Sequence, residues 1–191
     1  MTAAVATPSV SKRRMALLVV VALAVSAVAA SATAVALSSR ADLSSSRRQV
    51  DVAWSALRPS LNARYQTLGQ AAGVARESLN ANRTVFDDIA KAVTDWPGTE
   101  RWPTDRQVAA AAHLEGLVAR LSATVATTPR LRAADDLATA MRPLEETDTA
   151  QTGAPYNAAV REYQEARGGF PRSLVAGALG YEDRRTLEVP A

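Results

Sequence analysis

Cysteine is missing from all 191 residues, and histidine occurs once, as His113. The first absence excludes disulfide frameworks, cysteine-ligated zinc and cysteine nucleophiles. It assigns no redox compartment, because an exported domain can do without disulfides. The second leaves no pair of imidazoles for a histidine-based metal site. Isoleucine also occurs once, at Ile89, and aromatics make up 5% of the chain, while about one residue in five is alanine. Such a composition is poor strand material and good helix material.

Acidic residues are absent from the first 40 positions, where Lys12, Arg13, Arg14 and Arg40 stand alone. The formal net charge of +3 therefore comes from this flank: beyond it, 18 basic residues face 19 acidic ones. A nearly neutral body gives no electrostatic footprint for nucleic acid, which is not expected as a partner.

Charge of either sign is missing from residues 15–37, and the uncharged run extends to Ser39. Twenty-three residues make a helix about 34 Å long, enough for a hydrocarbon core of about 30 Å. No face of the segment is polar, which argues against a buried amphipathic helix. The alternative is a cleaved signal peptide. Lys12-Arg13-Arg14, the apolar stretch that follows and small-residue sites such as Ala27-Val28-Ala29 or Ala32-Thr33-Ala34 fit that pattern too. Either way, the basic cluster favours a cytoplasmic N-terminus and an exported body, although Arg40, Arg47 and Arg48 follow the segment and pull the other way.

The remaining chain carries apolar stripes at helical spacing. Val50, Trp54, Leu57, Leu61, Tyr65, Leu68 and Ala72 recur at steps of three and four, with Pro59 inside the stretch as an expected kink. Val85, Phe86, Ile89, Val93 and Trp96 are expected to continue this arm past a weak spot near 80–82. Two Trp-Pro steps predict a loop over 96–103, after which Thr104 and Gln107 have the spacing of a capping box. Val108, Ala111, Leu114, Val118, Leu121 and Val125 form the next stripe. Thr128-Pro129 is a further start signal, and Leu137, Met141 and Leu144 line a third stripe interrupted by Pro143. Tyr156, Val160, Tyr163 and Arg167 line a helix ended by Gly168-Gly169, and a short last helix stops at Gly180. No strand-like alternation of useful length appears. The expected fold class is all-α: an N-terminal transmembrane helix followed by an antiparallel bundle of long helices. The expected organisation is a basic cytoplasmic flank over 1–14, an anchor over 15–37, a juxtamembrane link over 38–46 and the bundle over 47–191.

In this arrangement the chain resembles the LemA family of bacterial membrane proteins. Arg47, Val50, Ala53-Trp54-Ser55, Leu61 and Arg64-Tyr65 carry the first part of the likeness. Pro129-Arg130-Leu131, Leu144-Glu145 with Thr147, and Tyr156-Asn157 with Val160 and Tyr163 follow in order. Phe170-Pro171, Leu174, Ala176-Gly177 and Gly180-Tyr181 complete it. The chain departs from the family at Leu68-Gly69-Gln70-Ala71, at Gly153-Ala154-Pro155, and at Pro59 and Pro143. The resemblance implies a transmembrane helix left in place and a bundle of long antiparallel helices. It supplies no catalytic residues.

Nor do the residues themselves. His113, on a helix between Ala112 and Leu114, has no second histidine and is expected as a boundary or surface imidazole. No G-x-S-x-G element occurs, and the one S-x-x-K match, Ser9 to Lys12, lies in the basic flank. Gly168-Gly169 lacks the surroundings of a phosphate loop. Glu145 and Asp148, three apart, present fewer oxygens than a hard cation takes. Catalytic, cofactor-binding and metal-binding residues are thus expected to be none, and the chain is expected not to be an enzyme. Trp96, Trp102, Tyr156 and Asn157 are the interaction candidates, and Lys12, Arg13 and Arg14 the topology determinants. The expected role is an envelope scaffold or accessory in the cell membrane, with the bundle extracytoplasmic. Its partners are the lipid bilayer and a membrane or envelope protein, with a homo-oligomer also allowed. A soluble exported binding protein, released by signal cleavage, is the alternative.

Overall fold

The computed structural model describes residues 10–78, 84–170 and 172–188, with side chains from residue 38 onward. The described residues form seven α-helices and one 3-10 helix, with no strand among them. Helix α1 runs Val10–Ser78, followed by α2 (Thr84–Asp95), the 3-10 helix (Trp96–Arg101) and α3 (Thr104–Thr127). After these come α4 (Pro129–Arg132), α5 (Asp135–Glu146), α6 (Thr149–Arg167) and α7 (Arg172–Ala178). The side chains of Lys12, Arg13 and Arg14, and those of the uncharged run through residue 37, lie outside the described residues.

Helix α1 is the spine, packing against every other α-helix. Leu43, Val50, Trp54, Leu57, Leu61, Tyr65, Leu68, Ala72 and Ala75 are all buried, so one face is core along its described length. Residues 38–46, expected as a link, are helical too, with Ser39 and Leu43 buried. Pro59 leaves α1 unbroken. It sits on the exposed face with Ser55, whose carbonyl loses its intrahelical partner and faces water instead.

The second stripe does not extend the arm as expected; it folds back. Arg76 pairs with Asp87 at 3.3 Å, Gly69 opposes Val93, and Asn62 accepts from the Trp96 indole, so partners in α2 come in reverse order. Two apolar faces at opposite ends of one rod stay wet, whereas folding back buries both. Gly69 makes the approach close: a Cβ there would lie 3.3 Å from Val93 Cγ1. Helix α3 then runs alongside α1 in the same order, through Trp54 to Gln107, Tyr65 to Ala111 and Arg64 to Glu115.

Two local expectations need correction. Residues 96–101 are helical, not loop, because Trp96 is held by the Asn62 carbonyl oxygen at 2.6 Å and by an edge contact with Tyr65. Only Trp102, extended before Pro103, shows the backbone that a following proline imposes. The capping box is also absent: Pro103 is the N-cap, and the Thr104 hydroxyl donates across to Asp51. Among the described residues α3 has the length and apolarity of a membrane span, but Val108, Ala111, Leu114, Leu117 and Leu121 are spent in the core of the bundle.

Three helices meet on one cation. Arg64 Nε and Nη2 grip the Glu115 carboxylate at 3.1–3.3 Å, while Nη1 donates to the carbonyls of Leu144 (2.7 Å) and Thr147 (3.1 Å). The Arg64 and Glu115 side chains are 8% and 1% exposed. Arg64→Ala leaves the buried carboxylate uncompensated and is expected to cost about 3–5 kcal/mol, whereas Arg64→Met with Glu115→Leu recovers most of that loss. Urea unfolding followed by far-UV circular dichroism measures both; a double variant as damaged as the single one would refute the pairing.

Candidate functional site

The residues with the most polar chemistry converge on the segment that follows α7. The helix ends at Gly180, which adopts φ +70°. Tyr181 N donates to Ala176 O at 2.9 Å and Gly180 N to Gly177 O at 3.3 Å, the paired bonds of a Schellman stop. A residue with a side chain is strained at that φ, so glycine is what lets the chain leave α7 as an irregular tail over 181–188.

Helix α6 holds that tail with its side chains. Tyr163 OH donates to Glu182 O (2.8 Å), Gln164 Nε2 to Arg184 O (2.9 Å) and Arg167 Nε to Tyr181 O (2.9 Å). One turn and more toward the start of α6, Tyr156 OH donates to Arg185 O at 2.7 Å. Asn157 makes a reciprocal pair with Leu187, its Nδ2 donating to the carbonyl at 3.0 Å and its Oδ1 accepting from the N–H at 2.8 Å. Tail and helix run in opposite directions, and the side chains substitute for the backbone partners a strand would supply. Leu187 is 3% exposed and packs over Gly153, where a Cβ would stand 3.5 Å from Leu187 Cδ2. The tail also returns a charge to the bundle: Arg184, 7% exposed, donates to Asp105 at 2.7 Å and lies 3.7 Å from Asp51.

From this clamp a relay of contacts reaches the tryptophan region. The Tyr156 ring meets Trp54 edge-on at 5.2 Å between centroids. Trp54 Nε1 donates to Gln107 Oε1 at 2.8 Å, and Gln107 Nε2 donates to Trp102 O at 2.7 Å. Arg58 donates to the same Gln107 oxygen and lies 4.9 Å over the Trp96 ring. Trp96, Trp102 and Tyr156 are therefore linked through Trp54, Gln107 and Arg58, while the Asn157 side chain bonds only to the tail. Trp96 and Tyr156 are buried and internally bonded, Asn157 is half-buried, and Trp102 is the exposed one, at 46%. Trp96, Trp102 and the exposed His113 border a cleft of about 370 Å³ that Asp88 and Lys91 also line.

Residue-level reasoning missed Gln107, Arg58, Arg64, Glu115 and Arg184. A signal was present for two of them: Gln107, Ala111, Glu115 and Val118 share one helical face, so polar residues were standing in an apolar register. Asp148, paired above with Glu145, caps α6 by accepting from Gln151 N at 3.1 Å. Glu145 is exposed, and no cluster of three potential ligand residues occurs among the described residues.

A family model, the LemA family, matches residues 53–191, which include the Trp54 relay, the Tyr156-Asn157 clamp and the tail. The chain belongs to the LemA family. No curated protein and no solved structure matches it. In this LemA protein Tyr156, Asn157 and Tyr163 make the tail clamp, and Tyr181, just past Gly180, receives a bond from Arg167.

Removing the Asn157 amide in Asn157→Ala is expected to cost about 1–3 kcal/mol and to free the last residues first. Amide hydrogen exchange over 184–188 rising ahead of the core registers it; uniform exchange would contradict a separable clamp. Burial raises the pKa of Tyr156, with Asp105 adding to it, and raises that of Tyr65, with Glu115 adding to it. Both stay protonated in the folded chain above the ordinary value near 10 at which the unfolded chain releases its protons. The unfolded state then binds fewer protons, so stability is complete below pH 10 and declines as pH rises through and above it. Melting temperatures from about pH 9 to about pH 12 should fall less steeply for Tyr156→Phe than for the parent.

Proposed function

We propose that this LemA protein is a single-pass, membrane-anchored, non-enzymatic helical-bundle protein that serves as an envelope scaffold or accessory in protein–protein interactions. The observation that carries this reading is the continuity of α1, one helix from Val10 to Ser78 that contains the uncharged run and also supplies the spine of the bundle. An anchor continuous with the core transmits its position to the whole bundle. The domain plan that follows is a basic cytoplasmic flank over 1–14, an anchor over 15–37, a helical stem over 38–46 and an antiparallel bundle over 47–191 outside the cytoplasm. Orientation rests on Lys12, Arg13 and Arg14.

The mechanism is tethering: restriction to the membrane surface raises the effective concentration of the bundle toward partners held there. Support for a non-enzymatic role comes from where the polar side chains go. Tyr156, Asn157, Tyr163, Arg64 and Gln107 all spend their hydrogen-bonding groups on the fold itself. Of the four interaction candidates Trp102 is the exposed one, and tryptophan anchors interfaces out of proportion to its frequency.

Carbonate-resistant membrane association with an intact N-terminus by mass spectrometry is the expected result; a mature chain starting within 30–36 would instead establish the released, soluble alternative. In-cell cross-linking should then recover a reproducible membrane or envelope partner, in smaller yield for Trp102→Ala.

A further inference from the structure

Helix α7 packs against α1 close to where the uncharged run ends. Its level is set by Arg172, whose guanidinium lies 3.7 Å from the Asp42 carboxylate. Beyond the other end of α7, the Arg47 guanidinium lies 6.0 Å from the centre of the Tyr181 ring. The start of α7 is thus the end nearer the run. Asp42 stands only three residues past Ser39, about 4.5 Å of helix rise.

The inner side of this contact is fully used: Ser39, Leu43 and Ala176 are all buried. The same segment also presents open apolar groups, with Phe170 85% exposed, Leu174 65% and Leu179 45%. Three of the five large hydrophobic side chains exposed among the described residues thus sit on one short segment. Around it stand Arg40, Arg47, Arg48, Arg167 and Arg172, against Asp42 beside Arg172 and Asp183 paired with Arg167, which leaves the surround cationic. A clustered apolar patch with a cationic surround, level with the end of a membrane-length helix, has the composition of an interfacial lipid contact.

We propose that α7 and the turn before it form a wedge that enters the headgroup–acyl boundary of the bilayer holding α1. Phe170 and Leu174 are the deepest groups, Leu179 is shallower, and Arg40 and Arg172 meet lipid phosphates. The inference rests on the anchored reading of the N-terminal run. Its consequence is orientation. A single crossing helix leaves the bundle free to rotate about its own axis, and a second contact on one side determines which face of the bundle looks along the membrane.

The absence of cysteine makes a direct test simple. The full chain is reconstituted in vesicles of phosphatidylcholine and phosphatidylglycerol with a nitroxide on one introduced thiol: Phe170→Cys, Leu174→Cys or Leu179→Cys. Val20→Cys in the run and Val52→Cys, at an exposed site, serve as membrane and aqueous references. Collisions with oxygen should exceed those with a water-soluble nickel chelate at 170 and 174, placing those labels about 5–10 Å below the phosphates. The label at 179 should read shallower, and that at 52 should read aqueous. A Val20→Cys label within the bilayer, with 170 and 174 matching Val52→Cys, overturns the wedge and leaves the anchor standing. Labels at 170 and 174 shielded from both reagents overturn it in favour of a protein occupant. A chain released from the vesicles overturns the anchored reading and the wedge together.

Discussion

The Arg64 guanidinium is the constraint around which the bundle is arranged. It joins the spine to α3 through Glu115 and to the end of α5 through the carbonyls of Leu144 and Thr147. A cation this buried is stable only where every lone pair it needs is in place, so a small shift of α3 or α5 leaves a charge or a carbonyl unpaired. Apolar stripes tolerate sliding, because hydrophobic burial has no direction. The Arg64 site does not tolerate it. It selects one register among the many that the stripes alone permit.

A second set of directional bonds does the same for the end of the chain. Without α6, residues 181–188 would be an irregular segment with unpaired carbonyls against an apolar surface. Tyr156, Asn157, Tyr163, Gln164 and Arg167 turn it into a fitted element, and Arg184 carries the attachment back to Asp105 at the start of α3. The Trp54–Gln107 contact lies between the two systems, joined to Tyr156 on one side and to the Trp96–Trp102 turn on the other. Tyr156, Asn157 and Tyr163 spend their polar groups on the fold, whereas Trp102, Phe170 and Leu174 are exposed.

Much of the core was legible in advance. Val50, Trp54, Leu57, Leu61, Tyr65 and Leu68 on α1, and Tyr156, Val160 and Tyr163 on α6, were placed on buried faces by spacing alone, and all are buried. Legibility failed where the deciding partner was remote. Gln107 had the spacing of a capping residue, yet Trp54 and Arg58, 53 and 49 residues away, claim its side chain. Residues 85–96 carried a good helical stripe whose direction relative to α1 no local feature encodes. At Trp96 a proline rule predicted loop, and burial against Asn62 and Tyr65 overrode it.

The sequence by itself determined that the chain is helical, where its apolar faces lie, and that an uncharged run of membrane length precedes a nearly neutral body. These are properties of short windows, set by the 3.6-residue period and by side-chain transfer energies. Only the tertiary structure decided that α2 folds back on α1, that Arg64 reaches residues 51 and 80 positions later, and that α6 clasps the tail. Those pairings depend on distance through space, which no periodicity records.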